Sequence, residues 1–316
     1  YNVVIDVVND PATGKLGYTK TVNGSATQSI SFVNTYTSTP ASNNVTVLGE
    51  KVLQDRIWLD TDNFQFKVER FAGFEWNDET AADEVVWLQV GTIASATKAN
   101  GGKFDLTGCL PTEFPEAGTY HYRITEVCGG TTIDGVTYTA EQIHFGVVVK
   151  DNGTGALVIE QVKGDTVTGD TATGYTVSAK FTNTYAVNDT VNVPVTGIKE
   201  MDGRDLLANE FQFDLIGSDG KVVESVRNGA DGSFTFTKLN YTAPGTYVYT
   251  VVENQTVTAE RVTNDKTKYQ VTVTVTDVLD GTLGYSVAVK NLTDTTDTSG
   301  KIHFTNVYTP KPTDIT

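Results

Sequence analysis

Apolar and polar residues alternate along most of the chain. Residues 269–275 (YQVTVTV) place an apolar or aromatic side chain at every second position, and residues 193–199 (VPVTGIK) begin with the same alternation, which is the period of a half-buried β-strand. Such runs recur nearly everywhere, and no long stripe with a 3.6-residue helical period separates them. The abundance of Thr, Val and Tyr agrees with this pattern. The sequence therefore predicts an all-β fold.

One short strand occurs three times, as residues 32–36 (FVNTY), 181–185 (FTNTY) and 304–308 (FTNVY). The two-residue period places the central asparagine on the same face as the two aromatic residues, which is the inward face. A buried amide must form hydrogen bonds or be consumed in a reaction. The three copies indicate an internal repeat.

Two further motifs occur twice at matching distances from this strand. The first is Val-x-Val-x-Gly-x-Lys, which ends at Lys51 and Lys199, and the second is Gly-Thr-Tyr-x-Tyr-x-x-x-Glu, which ends at Glu126 and Glu253. We predict tandem β-sandwich domains of immunoglobulin-like type, arranged end to end. The predicted segments are a truncated domain at 1–39, complete domains at 40–187 and 188–310, and a tail at 311–316.

Residues 1–36 have the layout of residues 269–308: a strand, a turn, a second strand, a polar loop and the Phe-x-Asn-x-Tyr strand. They are therefore expected to form the last third of a domain. Because the chain starts at Tyr1 with no targeting segment, we interpret it as an internal piece of a longer protein. Strands cut from a sandwich expose unpaired edges, so residues 1–36 should pair with upstream sequence or a neighbouring molecule, or pack poorly.

The first complete repeat is longer than the second, with about 17 extra residues between Phe66 and Phe104. Asn77 in this insertion could cap a short helix. All three tryptophans lie in the same repeat, at Trp58, Trp76 and Trp87. They could form a contact surface for a glycan or a protein, or they could be extra core beneath a longer loop.

Charge excludes some classes of function. The 316 residues carry a net charge of −16 with a pI near 4.5, which argues against binding to nucleic acid or to an anionic membrane, since both need basic patches. No apolar run approaches the length of a membrane span. The histidines, at His121, His144 and His303, have no metal-ligand spacing, so no metal and no cofactor is predicted.

The repeated Lys, Glu and Asn positions are the candidate chemistry. All three point inward in both complete repeats, yet lysine and glutamate are almost never fully buried unless paired. One interpretation is a buried ion pair with the asparagine as a hydrogen-bond partner. The other is a reaction: burial favours a neutral amine and a protonated acid, the amine attacks the asparagine amide, and the acid transfers protons as ammonia leaves. The product is a Lys–Asn isopeptide bond, formed once.

Taken together, these motifs resemble the isopeptide-forming, immunoglobulin-like domains of Gram-positive major pilins, the streptococcal pilin isopeptide linkage domain family. The resemblance covers about residues 40–310, and residues 1–36 match the end of such a domain. It implies cross-links Lys51–Asn183 with Glu126 as the catalytic acid, and Lys199–Asn306 with Glu253. Asn34 has neither a lysine nor a glutamate partner in this chain, so its bond is expected to be absent unless another molecule supplies them.

The resemblance implies a structural function, as the shaft or stalk of a bacterial surface pilus or adhesin. Its location would be extracellular, on a cell wall or in a pilus, with other fibre subunits and a host matrix protein or glycan as partners. A reaction that a domain performs once on itself has no external substrate, so we do not predict an enzyme. The competing hypothesis is a ligand-binding adhesin module that uses Trp76 and Trp87.

Two points remain open at the level of sequence. Cys109 and Cys128 could form a disulfide in an exported protein, but a simple hairpin register would place them far apart. Lys311 could accept a sortase-type polymerisation bond, whereas a proline-bearing linker that happens to contain a lysine is the simpler interpretation.

Overall fold

The structure is a computed structural model and describes residues 1–312. Strands dominate this part of the chain, so the all-β prediction is confirmed. No helix among these residues is long and apolar enough to cross a membrane. Four of the six residues of the predicted tail, 313–316, lie outside the described residues.

The first complete domain contains two main sheets around one core. Its elements are β3 (Ala41–Ser42), β4 (Val45–Gln54), β5 (Asn63–Asn77), β6 (Ala82–Thr97), β7 (Lys103–Asp105), a 3₁₀ turn (Thr107–Cys109), β8 (Glu113–Phe114), β9 (Gly118–Glu126), β10 (Thr132–Ile133), β11 (Val136–Thr137), β12 (Gln142–Asp151), β13 (Leu157–Lys163), β14 (Val167–Asp170) and β15 (Gly174–Tyr185). One sheet has the order β10-β11-β15-β4-β7 with β14 also on β15, the other has the order β13-β12-β9-β5-β6, and β3 pairs with β8.

The second domain repeats this plan with fewer strands. Its elements are β16 (Val191–Asn192), β17 (Val195–Asp202), β18 (Gln212–Ile216), β19 (Val222–Arg227), β20 (Ser233–Phe236), β21 (Asn240–Tyr241), β22 (Gly245–Glu253), β23 (Val262–Thr263), β24 (Lys268–Asp277), β25 (Leu283–Asn291) and β26 (Ile302–Tyr308). The sheets have the orders β20-β17-β26-β23 and β19-β18-β22-β24-β25, and β16 pairs with β21.

In each domain the first long strand and the last strand are parallel neighbours. β4 pairs with β15 so that Lys51 lies opposite Phe181, and β17 pairs with β26 so that Lys199 lies opposite Phe304. Parallel neighbours need a long connection, and here that connection is the rest of the domain. The lysine and the asparagine motifs therefore lie side by side although they are far apart in sequence.

The glycine of each Val-x-Val-x-Gly-x-Lys motif makes room for a phenylalanine ring. A Cβ on Gly49 would lie 2.0 Å from a ring carbon of Phe104, and a Cβ on Gly197 would lie 2.2 Å from a ring carbon of Phe234. The Phe104 ring in turn stacks on Phe66 at 3.8 Å between centroids. This aromatic stack covers the core beside the lysine, so the glycine is required by packing.

Residues 1–36 form a hairpin without a sandwich. β1 (Val3–Asp10) pairs with β2 (Lys15–Val22), and within residues 1–312 no third strand joins this sheet. Most side chains of residues 1–36 are exposed, including Phe32 at 81%. The segment therefore has strands of a domain but not its core.

The insertion in the first domain is a long hairpin. β5 and β6 extend to Asn77 and Ala82 at its tip, and the Asn77 Oδ1 accepts hydrogen bonds from the backbone N–H groups of Glu79 and Thr80. The expected short helix is therefore wrong. The same side-chain oxygen that can cap a helix here closes a turn, since asparagine favours both.

The same joint occurs at two places along the chain. The Tyr185 hydroxyl donates to Asp277 Oδ1 at 2.6 Å and accepts the Gly281 N–H at 3.0 Å, within the β24–β25 turn. Tyr36 makes the equivalent bonds, to Asp151 at 3.0 Å and from the Gly155 N–H at 2.8 Å. The tyrosine that ends each of these two Phe-x-Asn-x-Tyr segments therefore docks on a turn of the next domain.

Candidate cross-link sites

The first candidate site joins a lysine, a glutamate and an asparagine from three strands. The Lys51 Nζ on β4 lies 2.8 Å from the Glu126 carboxylate at the end of β9, and the Asn183 Nδ2 on β15 donates to Glu126 Oε1 at 2.9 Å. The side chains of Lys51 and Glu126 are fully buried, and so is Asn183. One carboxylate thus holds the amine and the amide together.

The second site has the same geometry. The Lys199 Nζ on β17 lies 2.8 Å from Glu253 Oε2 on β22, and the Asn306 Nδ2 on β26 donates to Glu253 Oε1 at 2.6 Å. All three residues are at most 2% exposed. The same arrangement of lysine, glutamate and asparagine therefore occurs in two domains whose loops differ.

Burial changes the electrostatics of both pairs in the direction that the reaction needs. Burial lowers the pKa of Lys51 to about 8 from 10.5, against the opposing effect of Glu126, and it raises the pKa of Glu126. The pKa of Lys199 is likewise lowered and that of Glu253 raised by burial. Phenylalanine rings lie near the amines, with the Phe64 centroid 5.0 Å from the Lys51 Nζ, so each amine has apolar neighbours. The neutral amine and the protonated acid therefore cost less free energy to form here than in water.

The asparagine carbonyl oxygen has a donor of its own in each site. The Asn183 Oδ1 accepts the backbone N–H of Thr139 at 2.9 Å, and the Asn306 Oδ1 accepts the backbone N–H of Asp265 at 2.7 Å. This oxygen would become negatively charged if an amine added to the adjacent Cγ. A fixed N–H donor at that position stabilises such a charge.

The arrangement can carry out amide transfer. The glutamate accepts a proton from the lysine, and the neutral Nζ adds to the asparagine Cγ while the N–H of Thr139 or Asp265 binds the oxyanion. The glutamate then passes this proton to Nδ2, the Cγ–Nδ2 bond breaks and ammonia leaves, while the surplus proton on Nζ goes to the glutamate and a neutral amide remains. The glutamate touches both the attacking and the leaving nitrogen, so it can act as the acid and the base.

Thr139 and Asp265 are the residues of the candidate sites that the sequence did not indicate. They contribute a backbone N–H, which any residue except proline provides, so their side chains carry no signal. Each follows by two residues a Val-Thr dipeptide that pairs with the asparagine strand, at Val136–Thr137 and Val262–Thr263. That repeated dipeptide could have located them.

The remaining candidate residues lie outside these sites. Asn34 is exposed and meets no lysine or glutamate hydrogen-bond partner among residues 1–312. Cys109 and Cys128 are both free, the first buried and the second exposed, so the disulfide that the sequence left open is absent from the structure. No group of three or more potential metal ligands occurs among residues 1–312.

The chain belongs to the family described as FctA, Spy0128-like isopeptide containing domain, whose model matches residues 47–186 and 195–309. It is therefore a protein of pilin-type isopeptide domains, a structural family and not a family of enzymes. No curated protein matches the chain.

Several solved structures are similar to the chain at low identity. The major pilin from Streptococcus pyogenes is 18% identical, with a TM-score of 0.29, over 85% of this chain and 99% of the pilin chain. The major pilin T3.2 from the same species is 14% identical, with a TM-score of 0.28, over 85% and 97%. A C-terminal fragment of the pilus adhesin SpaC from Lactobacillus rhamnosus GG is 14% identical, with a TM-score of 0.26, over 85% and 98%. The family membership follows from the two matched domains and not from these superpositions.

Proposed function

We propose that the chain is part of the shaft or stalk of a Gram-positive surface pilus or adhesin, cross-linked by Lys51–Asn183 and Lys199–Asn306 isopeptide bonds. The protein would lie outside the cell, on the wall or in a pilus. Its partners would be other subunits or domains of the fibre. Glu126 and Glu253 would promote one bond each, without turnover.

One observation carries this proposal: the amine and the amide lie on adjacent first and last strands and share one buried carboxylate. A tensile load enters a domain through its terminal strands. A covalent bond between those strands would carry the load past the 132 positions from residue 51 to residue 183 (183 − 51). By analogy with disulfides, closing a loop of this length would remove about 5 kcal/mol of unfolded-state entropy.

The experiment is the intact mass of the chain under denaturing and reducing conditions. Each bond releases one ammonia, so we expect a mass two ammonias below that of the sequence. Fragmentation of tryptic peptides should locate the branches at Lys51 and Lys199. A mass equal to the full sequence would reduce both sites to buried ion pairs and remove the support for a cross-linked stalk.

A second candidate function is ligand binding by the long insertion. Trp87 lies with Phe71, His121 and His144 along a surface cleft of about 550 Å³, and Trp76 is 62% exposed near the hairpin tip. Trp58, in contrast, packs edge-on against core residue Phe64 at 5.2 Å. A glycan array or a pull-down with host matrix proteins tests this function, and a Trp76→Ala, Trp87→Ala variant that binds as well as the parent would contradict it.

A further inference from the structure

The β1–β2 hairpin exposes an apolar face. The corresponding face of the β24–β25 hairpin is buried in the core of the second domain. Tyr1, Val3, Ile5 and Val7 alternate along β1 and its start and are between 41% and 61% exposed. The corresponding residues of β24 are at most 3% exposed: Tyr269, Val271, Val273 and Val275. Four large apolar side chains in a row on one face are what a sandwich core requires.

Strand register supports this correspondence at two positions of each hairpin. Val3 lies opposite Val22 and Val7 opposite Tyr18, just as Val271 lies opposite Val289 and Val275 opposite Tyr285. Register decides which side chains share a face. The exposed apolar residues of β1 therefore lie on the face of their hairpin that corresponds to the core-facing side of the β24–β25 hairpin.

The Phe-x-Asn-x-Tyr segment also docks on the hairpin in the same way. The Tyr1 ring meets Phe32 edge-on at 5.5 Å, and its hydroxyl donates to the Ser31 carbonyl at 2.6 Å. Tyr269 meets Phe304 edge-on at 5.3 Å, and its hydroxyl donates to the His303 carbonyl at 2.6 Å. This contact places Asn34 where Asn306 lies in the complete domain.

The far end of the segment is also in the position of a domain end. Tyr36 occupies the Asp151–Gly155 turn as Tyr185 occupies the Asp277–Gly281 turn. The Thr39 N–H donates to the Gly155 carbonyl at 3.0 Å, as the Asn188 N–H, also three residues after its tyrosine, donates to the Gly281 carbonyl at 3.1 Å. Residues 1–36 thus have the contacts of the last strands of a domain, although no core covers their apolar face.

Two strands complete this end in the second domain. β22, which ends at Glu253, pairs antiparallel with β24, and β17, which carries Lys199, pairs parallel with β26. Within residues 1–312, nothing pairs with the equivalent edge of β1, and residues 30–36 form no strand.

We propose that Asn34 is the amide of a third cross-link, and that the face of residues 1–36 receives a polypeptide segment with a lysine strand and a glutamate strand of this domain type. The lysine Nζ gives a proton to the glutamate and bonds to Asn34 Cγ, the glutamate passes that proton to Nδ2, the Cγ–Nδ2 bond breaks, and ammonia leaves while the second surplus proton of Nζ goes to the glutamate. The inference rests on the proposed cross-linking function. A second copy of this chain is not the partner, because its Lys51 and Lys199 are each enclosed with an asparagine of their own domain.

The test extends the full chain at its N-terminus with a further copy of residues 188–268, which supplies a lysine strand and a glutamate strand but no asparagine strand. This copy fits because residues 30–36 (ISFVNTY) and 302–308 (IHFTNVY) share Ile, Phe, Asn and Tyr at the same places. We expect the extended chain to lose three ammonias and the original chain two. Peptide mapping should join the lysine of the added copy to Asn34.

Two controls separate the outcomes. Asn34→Ala in the extended chain should return the loss to two ammonias, and so should Glu→Gln at the glutamate of the added copy that corresponds to Glu253. Two losses from the extended chain, with no branch at Asn34, would overturn this inference alone. No loss from the original chain would instead overturn the proposed function.

Discussion

Each site depends on one carboxylate that touches both reacting groups. Glu126 contacts the Lys51 Nζ and the Asn183 Nδ2 within 2.9 Å, so it can take a proton from the amine and return one to the leaving nitrogen. A glutamine has the same shape but cannot do this. We therefore expect the glutamate to be required for the reaction.

We expect Glu126→Gln to abolish the first bond and leave the second, so the chain should lose one ammonia instead of two. Glu253→Gln should do the reverse. Intact mass with peptide mapping measures both. Glu69→Gln is the matched control, because Glu69 is also buried but binds Lys67 and Arg123; it should keep both bonds. Loss of both ammonias from Glu126→Gln would show that the carboxylate is dispensable.

A free amine at Lys51 should make stability depend on pH. In Asn183→Ala the bond cannot form, and the folded-state pKa of Lys51 is about 8 against 10.5 for an exposed lysine. Between these values the unfolded chain binds more protons, so the free energy of unfolding should rise with pH, by at most about 1.4 kcal/mol per unit. Below pH 8 the amine is protonated in both states and this contribution is constant.

Urea unfolding at pH 8, 9 and 10 measures this slope. The comparison is the triple variant Lys51→Met, Glu126→Gln, Asn183→Ala, which lacks the buried amine and should lack the extra slope. Equal slopes in the two variants would mean that Lys51 does not titrate with a lowered pKa.

At the scale of elements, the parallel strand pair β4–β15 positions the first site. Because Gly49 has no side chain, the Phe104 ring can lie directly against β4. We expect Gly49→Ala to destabilise the first domain by about 1–3 kcal/mol through overpacking, because its Cβ would collide with the Phe104 ring. Thermal unfolding and intact mass measure the effect. Adding Phe104→Leu should restore part of the stability, while Gly108→Ala, whose Cβ would meet nothing within 4 Å and whose φ is not positive, is the matched control and should leave the domain as stable as the parent.

The sequence predicted those parts of the fold that depend on side-chain pattern. Alternation identified the strands, and the repeated positions of Lys51, Glu126 and Asn183 identified the first trio. The backbone donor at Thr139 was not predictable from its residue type, because the bond uses the main chain. The packing role of Gly49 also escaped, since a missing side chain shows its purpose only when Phe104 is in place.

At the scale of the whole molecule, the tyrosine joint connects successive domains. Tyr185→Phe keeps the ring but removes the hydroxyl that bonds Asp277 and Gly281, which should weaken docking by about 1.5–3 kcal/mol because the acceptor is charged. Both cross-links should remain. Small-angle scattering and NMR relaxation should show greater interdomain motion than in Tyr285→Phe, an exposed tyrosine on β25. Unchanged motion would mean that the backbone of the linker, and not the Tyr185 hydroxyl, holds the two domains in place.

The mechanical consequence of the bonds can be measured by pulling single molecules from both ends. With both bonds present, the chain between residues 51 and 183 and between residues 199 and 306 cannot extend, so only short extensions from segments outside them are expected. Glu126→Gln should add one unfolding event of up to about 450 Å, because the 132 positions from 51 to 183 become free to stretch. Glu69→Gln should behave as the parent. An event of that length in the parent chain would show that load passes through the first domain and not across a bond between its terminal strands.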